Sequence, residues 1–137
     1  SDEIREKRGL SYSAYSYFVP MRLEGPFTLG LQTANSNREE ALAVLRQTLA
    51  RFVEGGPTEE ELLAAKKNIT GGFPLKIDSN SDILGYISMI GFYGLPLDYL
   101  DTFNSRIEAL TASQIRDAFT RRIHPDTMIT VTVGGKS

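Results

Sequence analysis

The amino-acid sequence predicts an α+β fold in which helices pack on one face of an antiparallel or mixed β-sheet. Two early stretches, Leu10–Val19 and Phe27–Ala34, alternate apolar and polar residues with the period of two that is typical of half-buried strands. A third such stretch, Thr127–Val133, lies near the end of the chain. Between them, residues 38–123 carry apolar side chains at helical spacing. Strands at both ends with helices between them indicate a layer of helices on one sheet.

The two early stretches are expected to pair as an antiparallel hairpin. The first reads LSYSAYSYFV, and its aromatic residues favour a strand. The connection contains Glu24-Gly25-Pro26, which is a turn composition. Ahead of the hairpin, Asp2–Arg8 reads as the end of a helix, which Gly9 terminates.

Helices of ordinary length are expected to follow the hairpin. Thr58 and Glu61 have the spacing of a capping box, so the acidic run there is expected to cap a helix rather than bind a metal. Glycines and prolines end or kink the helices at residues 55–57, 71–74 and 94–96. Capping residues mark further helix starts at Asn35–Asn37, Asp78–Ser81 and Thr111.

Composition excludes several classes of function. A chain of 137 residues fits one domain, and its formal charge of −2 provides no general attraction for nucleic acid. The chain has no cysteine, which excludes disulfides and thiolate zinc sites within it. It has one histidine, His124, so a zinc centre that needs two imidazoles is not expected. No uninterrupted apolar run approaches the roughly 18 residues of a membrane span.

One pair of residues suggests chemistry. Arg5 and Tyr12 flank Gly9, and a bend there would let both side chains reach one space. A guanidinium donates to carbonyl or carboxylate oxygens, and a tyrosine hydroxyl donates to an oxyanion. The residues alone leave two interpretations open, which are an electrophilic clamp that donates hydrogen bonds to substrate oxygens and a surface arginine beside a core tyrosine.

The run Ile4–Tyr12 resembles the segment that opens the hairpin of the C-terminal half in the insulinase (pitrilysin) family of zinc metallopeptidases. The resemblance extends over essentially the whole chain, because further similar segments follow in the family's order. These are Thr58–Leu62, Ala65–Asn68, Gly72–Leu75, Asp78–Asn80, Gly91–Pro96 and Thr127–Gly134.

The resemblance implies a clamshell of two homologous halves, on one chain or on paired subunits, around a chamber for peptides. The zinc motif, H-x-x-E-H with a distant Glu, belongs to the N-terminal half, and this chain contains no H-x-x-E-H. The other half supplies an Arg and a Tyr seven positions apart, and these roles fall on Arg5 and Tyr12. By this resemblance Tyr12 stabilises the oxyanion formed as water attacks the scissile carbonyl, while Arg5 holds the substrate backbone.

We therefore expect residues 1–137 to be part of a single C-terminal, inactive peptidase domain. It would hold no cofactor, because zinc is expected on the partner half or subunit, and it would be inactive alone. Family domains begin with further strands, so this chain is expected to lack the N-terminal strands, and its open sheet edges predict a dimer or an edge-paired assembly. Because bacterial relatives with this sequence pattern are often exported, the resemblance favours the bacterial periplasm as the location of this chain. The alternatives are a scaffold module that has lost catalysis and a peptide-binding module that uses the hairpin edge.

Overall fold

A computed structural model describes residues 12–73 and 77–134. In these ranges the chain forms two β-strands and five α-helices, in agreement with the predicted α+β class. In chain order they are β1 (Ser13–Phe18), β2 (Phe27–Gln32), α1 (Arg38–Gly55), α2 (Glu59–Gly72), α3 (Asn80–Tyr93), α4 (Tyr99–Ala109) and α5 (Ala112–Arg122). No helix in the described ranges is long and apolar enough to cross a membrane.

The chain divides into two compact units. The first contains the residues up to Gly56 together with those from Arg116 onward, and the second is Pro57–Ile115. Each unit is built around its own small set of buried apolar side chains. That residues 1–137 are part of a single domain stays a prediction.

In the first unit the predicted hairpin is confirmed. β1 and β2 pair antiparallel, with Ser13 opposite Gln32 and Phe18 opposite Phe27. Helix α1 lies against one face of this hairpin, where Leu31 packs on a small cluster formed by the buried Ala41 and Val44 of α1. Contact with the helix explains the apolar residue at position 31 of β2.

Aromatic rings extend the same core toward the loop of the hairpin. The ring of Phe119, from α5, lies edge-on to three others, at 4.9 Å from Phe52, 5.8 Å from Phe18 and 5.9 Å from Phe27. Phe18 and Phe27 also contact each other across the two strands, with centroids 4.6 Å apart. One ring of α5 therefore joins both strands to α1.

In the second unit, the predicted capping box at the start of α2 is confirmed. The backbone N–H of Glu61 donates to Thr58 Oγ1 over 3.1 Å, and the N–H of Thr58 donates to Glu61 Oε2 over 2.8 Å. At the other end of α2, the buried ring of Phe73 stacks on Phe103 of α4 at 4.3 Å. It meets Tyr86 of α3 edge-on at 6.0 Å. Phe73 thus connects three helices of this unit.

One prediction about local structure was wrong. Thr127–Val133 is not a strand, because Thr127 ends a 3₁₀ turn that starts at Pro125, and residues 128–134 carry no regular structure. A strand requires a hydrogen-bonded neighbour, and the described sheet contains only β1 and β2. The helix start predicted at Asn35–Asn37 is confirmed, since α1 begins at Arg38 with Asn37 as its N-cap residue. Asn35–Asn37 form a 3₁₀ turn, and the Asn37 side chain makes no cap bond. The predicted helix at Asp2–Arg8 lies outside the described residues.

Candidate functional site

Tyr12 lies one residue ahead of β1, at the open end of the hairpin. Its backbone N–H donates over 2.8 Å to the carbonyl of Gln32, the residue of β2 that pairs with Ser13. Tyr12 exposes 76% of its surface to solvent. Tyr12 is therefore held by its backbone and presents its side chain to solvent, so the interpretation as a core tyrosine was wrong.

Arg5 lies outside the described residues. The structure therefore does not place the two members of the predicted clamp relative to each other. The joint role of Arg5 and Tyr12 stays a prediction. Of the two residues, the structure describes the position of Tyr12.

The face of the hairpin that points away from α1, which we call the open face, is aromatic. The rings of Tyr15 and Tyr17 stack there, with centroids 5.8 Å apart and an interplanar angle of 18°. Tyr15 lies across Gly30 of β2, where a Cβ atom would clash with the tyrosine ring. The sequence predicted that Tyr15 and Tyr17 share a face, but it did not single them out as functional. A glycine inside a strand, opposite a tyrosine, was the available signal for this close approach.

The described residues contain no group of three His, Cys, Asp or Glu side chains that could hold a metal ion. The lone His124 follows α5, and its carbonyl accepts a hydrogen bond from the N–H of Thr127 over 3.0 Å. The acidic residues at the start of α2 lie in the first turn of that helix, where the capping box with Thr58 uses Glu61.

Comparison with known proteins identifies related domains. The family model described as the peptidase M16 inactive domain matches residues 1–69. The crystal structure of a peptidase M16 inactive domain from Pseudomonas fluorescens is similar, with a TM-score of 0.84 and 39% sequence identity, over 91% of this chain and 30% of that one. This similarity confirms the fold class.

Two curated relatives carry different descriptions. The non-peptidase homolog YmxG of Helicobacter pylori is 32% identical over 119 residues, which is 85% of this chain and 27% of the relative. The uncharacterized zinc protease YmxG of Bacillus subtilis is 29% identical over 79 residues, which is 58% of this chain and 19% of the relative. The chain spans less than a third of either relative. A match to an inactive domain agrees with the expectation that zinc is not held by this chain.

Proposed function

The chain belongs to the peptidase M16 family, as the domain described as inactive, and we propose that it supplies substrate-binding and oxyanion-stabilising groups for peptide hydrolysis at a zinc site on another half or subunit. The observation that carries this proposal is the exposed Tyr12 side chain on a backbone anchored by the hairpin. The expected partners are the half or subunit that carries H-x-x-E-H and the peptide substrate.

The chemistry assigned to Tyr12 is hydrogen-bond donation to developing negative charge. Peptide hydrolysis passes through a tetrahedral state whose oxygen becomes an oxyanion, and a donor that is already in place stabilises that state more than the substrate. Zinc on the partner half would activate the attacking water. The hydrogen bond between the Tyr12 N–H and Gln32 fixes the backbone of this donor before substrate binds, so little reorganisation is needed.

The role assigned to Arg5 is to bind the substrate rather than to act in the chemical step. A guanidinium presents several donors in a fixed plane and pairs well with carbonyl or carboxylate oxygens of a peptide. Removal of Arg5 should therefore weaken substrate binding, whereas removal of the Tyr12 hydroxyl should lower the rate of the chemical step.

The proposal is tested by peptide-cleavage kinetics on the full-length protein together with its zinc-bearing half. Tyr12→Phe should lower kcat by about 10²–10³-fold with little change in KM, which is the usual effect of removing one oxyanion donor. Arg5→Ala should mainly raise KM. Tyr17→Phe is the matched control, since it removes a hydroxyl from an exposed tyrosine of β1, the strand that follows Tyr12, and should leave both constants unchanged.

Turnover that stays unchanged in both Tyr12→Phe and Arg5→Ala would refute the assigned roles. The second candidate is a scaffold module, which is favoured by the description of the H. pylori relative as a non-peptidase homolog. That candidate predicts no peptide cleavage by the intact assembly, and an assembly that forms equally well with either variant. Peptide binding that survives both substitutions would instead favour the peptide-binding module.

A further inference from the structure

Helix α3 of the second unit is apolar on two opposite faces. One face points into the unit, where Ile90 is buried and the ring of Tyr86 meets Phe73 edge-on. On the other face, Leu84 exposes 64% of its surface and Ile87 exposes 58%. A helix that is apolar all round is typical of a buried helix. The described residues therefore leave exposed a face of α3 that has the composition of a buried one.

The exposed residues at helical spacing along this side of α3 form what we call the outer face, which consists of Leu84, Ile87, Ser88 and Gly91. A Cβ on Gly91 would meet nothing within 4 Å. The Ser88 hydroxyl donates to the carbonyl of Leu84 over 2.8 Å, so its proton is already bonded within the helix. The outer face can therefore be removed from water without leaving this hydroxyl donor unpaired.

The stretch 83–97, which contains the outer face, carries no charged residue. In a contact with two-fold symmetry, a charge near the axis meets its own copy and repels it. No such repulsion arises here. A partner that binds through charged side chains would find no opposite charge on this stretch. The outer face therefore suits an uncharged, apolar partner surface.

The residues of the outer face are ordered by size along the helix. The large Leu84 and Ile87 come first, and the small Ser88 and Gly91 follow. When a second α3 lies antiparallel across this face, with the two-fold axis between positions 87 and 88, Leu84 faces Gly91 of the second copy. Ile87 then faces Ser88 of the second copy. Each large side chain meets a small residue, which is how facing helices interdigitate. A parallel pairing would instead set Leu84 against its own copy.

We infer that the outer face of α3 is an interaction surface for a second copy of this chain, which binds through the same face in antiparallel orientation. Leu84 of each copy fills the space above Gly91 of the other, which gives a role to a glycine that is costly inside a helix. Two helices of 14 residues make a contact at the low end of interface sizes, so the dimer should form at micromolar concentration.

This contact is separate from the surfaces already described. It lies in the second unit, whereas Tyr12 and the edges of the hairpin belong to the first. The inference therefore does not depend on the proposed function, and loss of either one would leave the other standing.

The test is the dimer Kd of the full-length protein, measured by sedimentation equilibrium over a range of concentrations. Gly91→Leu should raise Kd by at least about 30-fold, because it overpacks two contacts in each dimer. Gly91→Ala is the matched control. It also replaces the glycine by a strong helix former, but its methyl group leaves room for Leu84, so Kd should change far less. Both variants should fold, since the Cβ meets open space within the chain, and circular dichroism checks this.

A second pair of variants tests the antiparallel register. Leu84→Ala should raise Kd by at least about tenfold, because each copy loses the apolar contact of one leucine. Leu84→Ala combined with Gly91→Leu exchanges the large and the small member of each contact. This double variant should recover a Kd within about tenfold of the wild type, whereas independent effects would multiply to about 300-fold.

Four results would overturn the inference. A monomeric mass up to millimolar concentration would mean that another segment of the full-length protein covers the outer face. A dimer whose Kd is the same in Gly91→Leu would assign dimerisation to another surface, such as the hairpin edges. Association that Gly91→Leu weakens only when a separate zinc-bearing subunit is present would assign the outer face to that subunit. A double variant as weak as the product of the two single effects would exclude the antiparallel register. Recovery in the double variant supports the inference.

Discussion

Substitution of Phe119 by alanine should strongly destabilise the first unit. The ring of Phe119 is partly buried and contacts Phe18, Phe27 and Phe52, so its loss removes the aromatic link between α5, the hairpin and α1. A buried Phe→Ala change costs about 3–5 kcal/mol. Because Phe119 keeps some exposure, we expect the lower end of this range, a loss of about 3 kcal/mol in the free energy of unfolding. This figure includes the three edge-on ring contacts, which are worth roughly 0.5–1.5 kcal/mol each.

The assay is amide exchange of Thr28 and Gly30 in the full-length protein, because these strand amides report the opening of the hairpin. A loss of about 3 kcal/mol corresponds to exchange that is faster by roughly 160-fold. Phe92→Ala is the matched control, since Phe92 of α3 is 63% exposed and belongs to the second unit. Its substitution should alter the stability by less than about 0.5 kcal/mol, or roughly twofold in exchange.

An acceleration below about tenfold in Phe119→Ala would refute the reasoning, because the ring would then contribute less than about 1.4 kcal/mol. An equal effect of Phe92→Ala on Thr28 and Gly30 would refute it as well. That result would mean that the hairpin amides report general opening of the chain rather than loss of the aromatic cluster.

Two further predictions concern the glycines of α3 and the assembly of the isolated chain. Gly94 ends α3 with φ of 63° and Gly91 lies inside the helix, and a Cβ at either position would meet open space. Gly94→Ala should therefore destabilise by about 1–2 kcal/mol, whereas Gly91→Ala should stabilise by about 0.5–1 kcal/mol, measured by exchange of α3 amides. If both substitutions changed the stability in the same direction, the contrast between the positive φ of Gly94 and the helical conformation of Gly91 would not explain their effects. The 137-residue chain alone should form a dimer or an edge-paired assembly, and a monomeric mass at micromolar concentration in light scattering would contradict this.

Much of the secondary structure could be predicted from local signals. The hairpin, the helix that begins at Arg38 and the capping box at Thr58 all appear where the sequence places them. Gly94 takes the left-handed conformation and ends α3, and Gly56 has a positive φ just after α1. These features depend on residues within a few positions of one another, so a single stretch of sequence contains the information.

The candidate site was predicted less completely. The alternation of β1 placed Tyr15 and Tyr17 on one face, and the structure shows their rings stacked on each other, with Tyr15 across Gly30. The alternation in the sequence could not show whether Tyr12 is buried, because burial depends on what packs against a strand and not on the strand itself. The exposed side chain of Tyr12 excludes a role in the core, but its exposure carries no information about whether Arg5 acts together with Tyr12.

The sequence by itself determined the α+β class, the positions of the helices and the hairpin, and the resemblance to a zinc peptidase family in a chain without a zinc motif. Only the tertiary structure decided that Thr127–Val133 is not a strand and that its aliphatic side chains are exposed, with accessibilities of 91% for Ile129, 80% for Val131 and 97% for Val133. The physical reason is that a helix satisfies its backbone hydrogen bonds internally, whereas a strand needs a partner. An alternating pattern shows that a stretch suits a sheet, but the neighbour that completes the ladder comes from elsewhere.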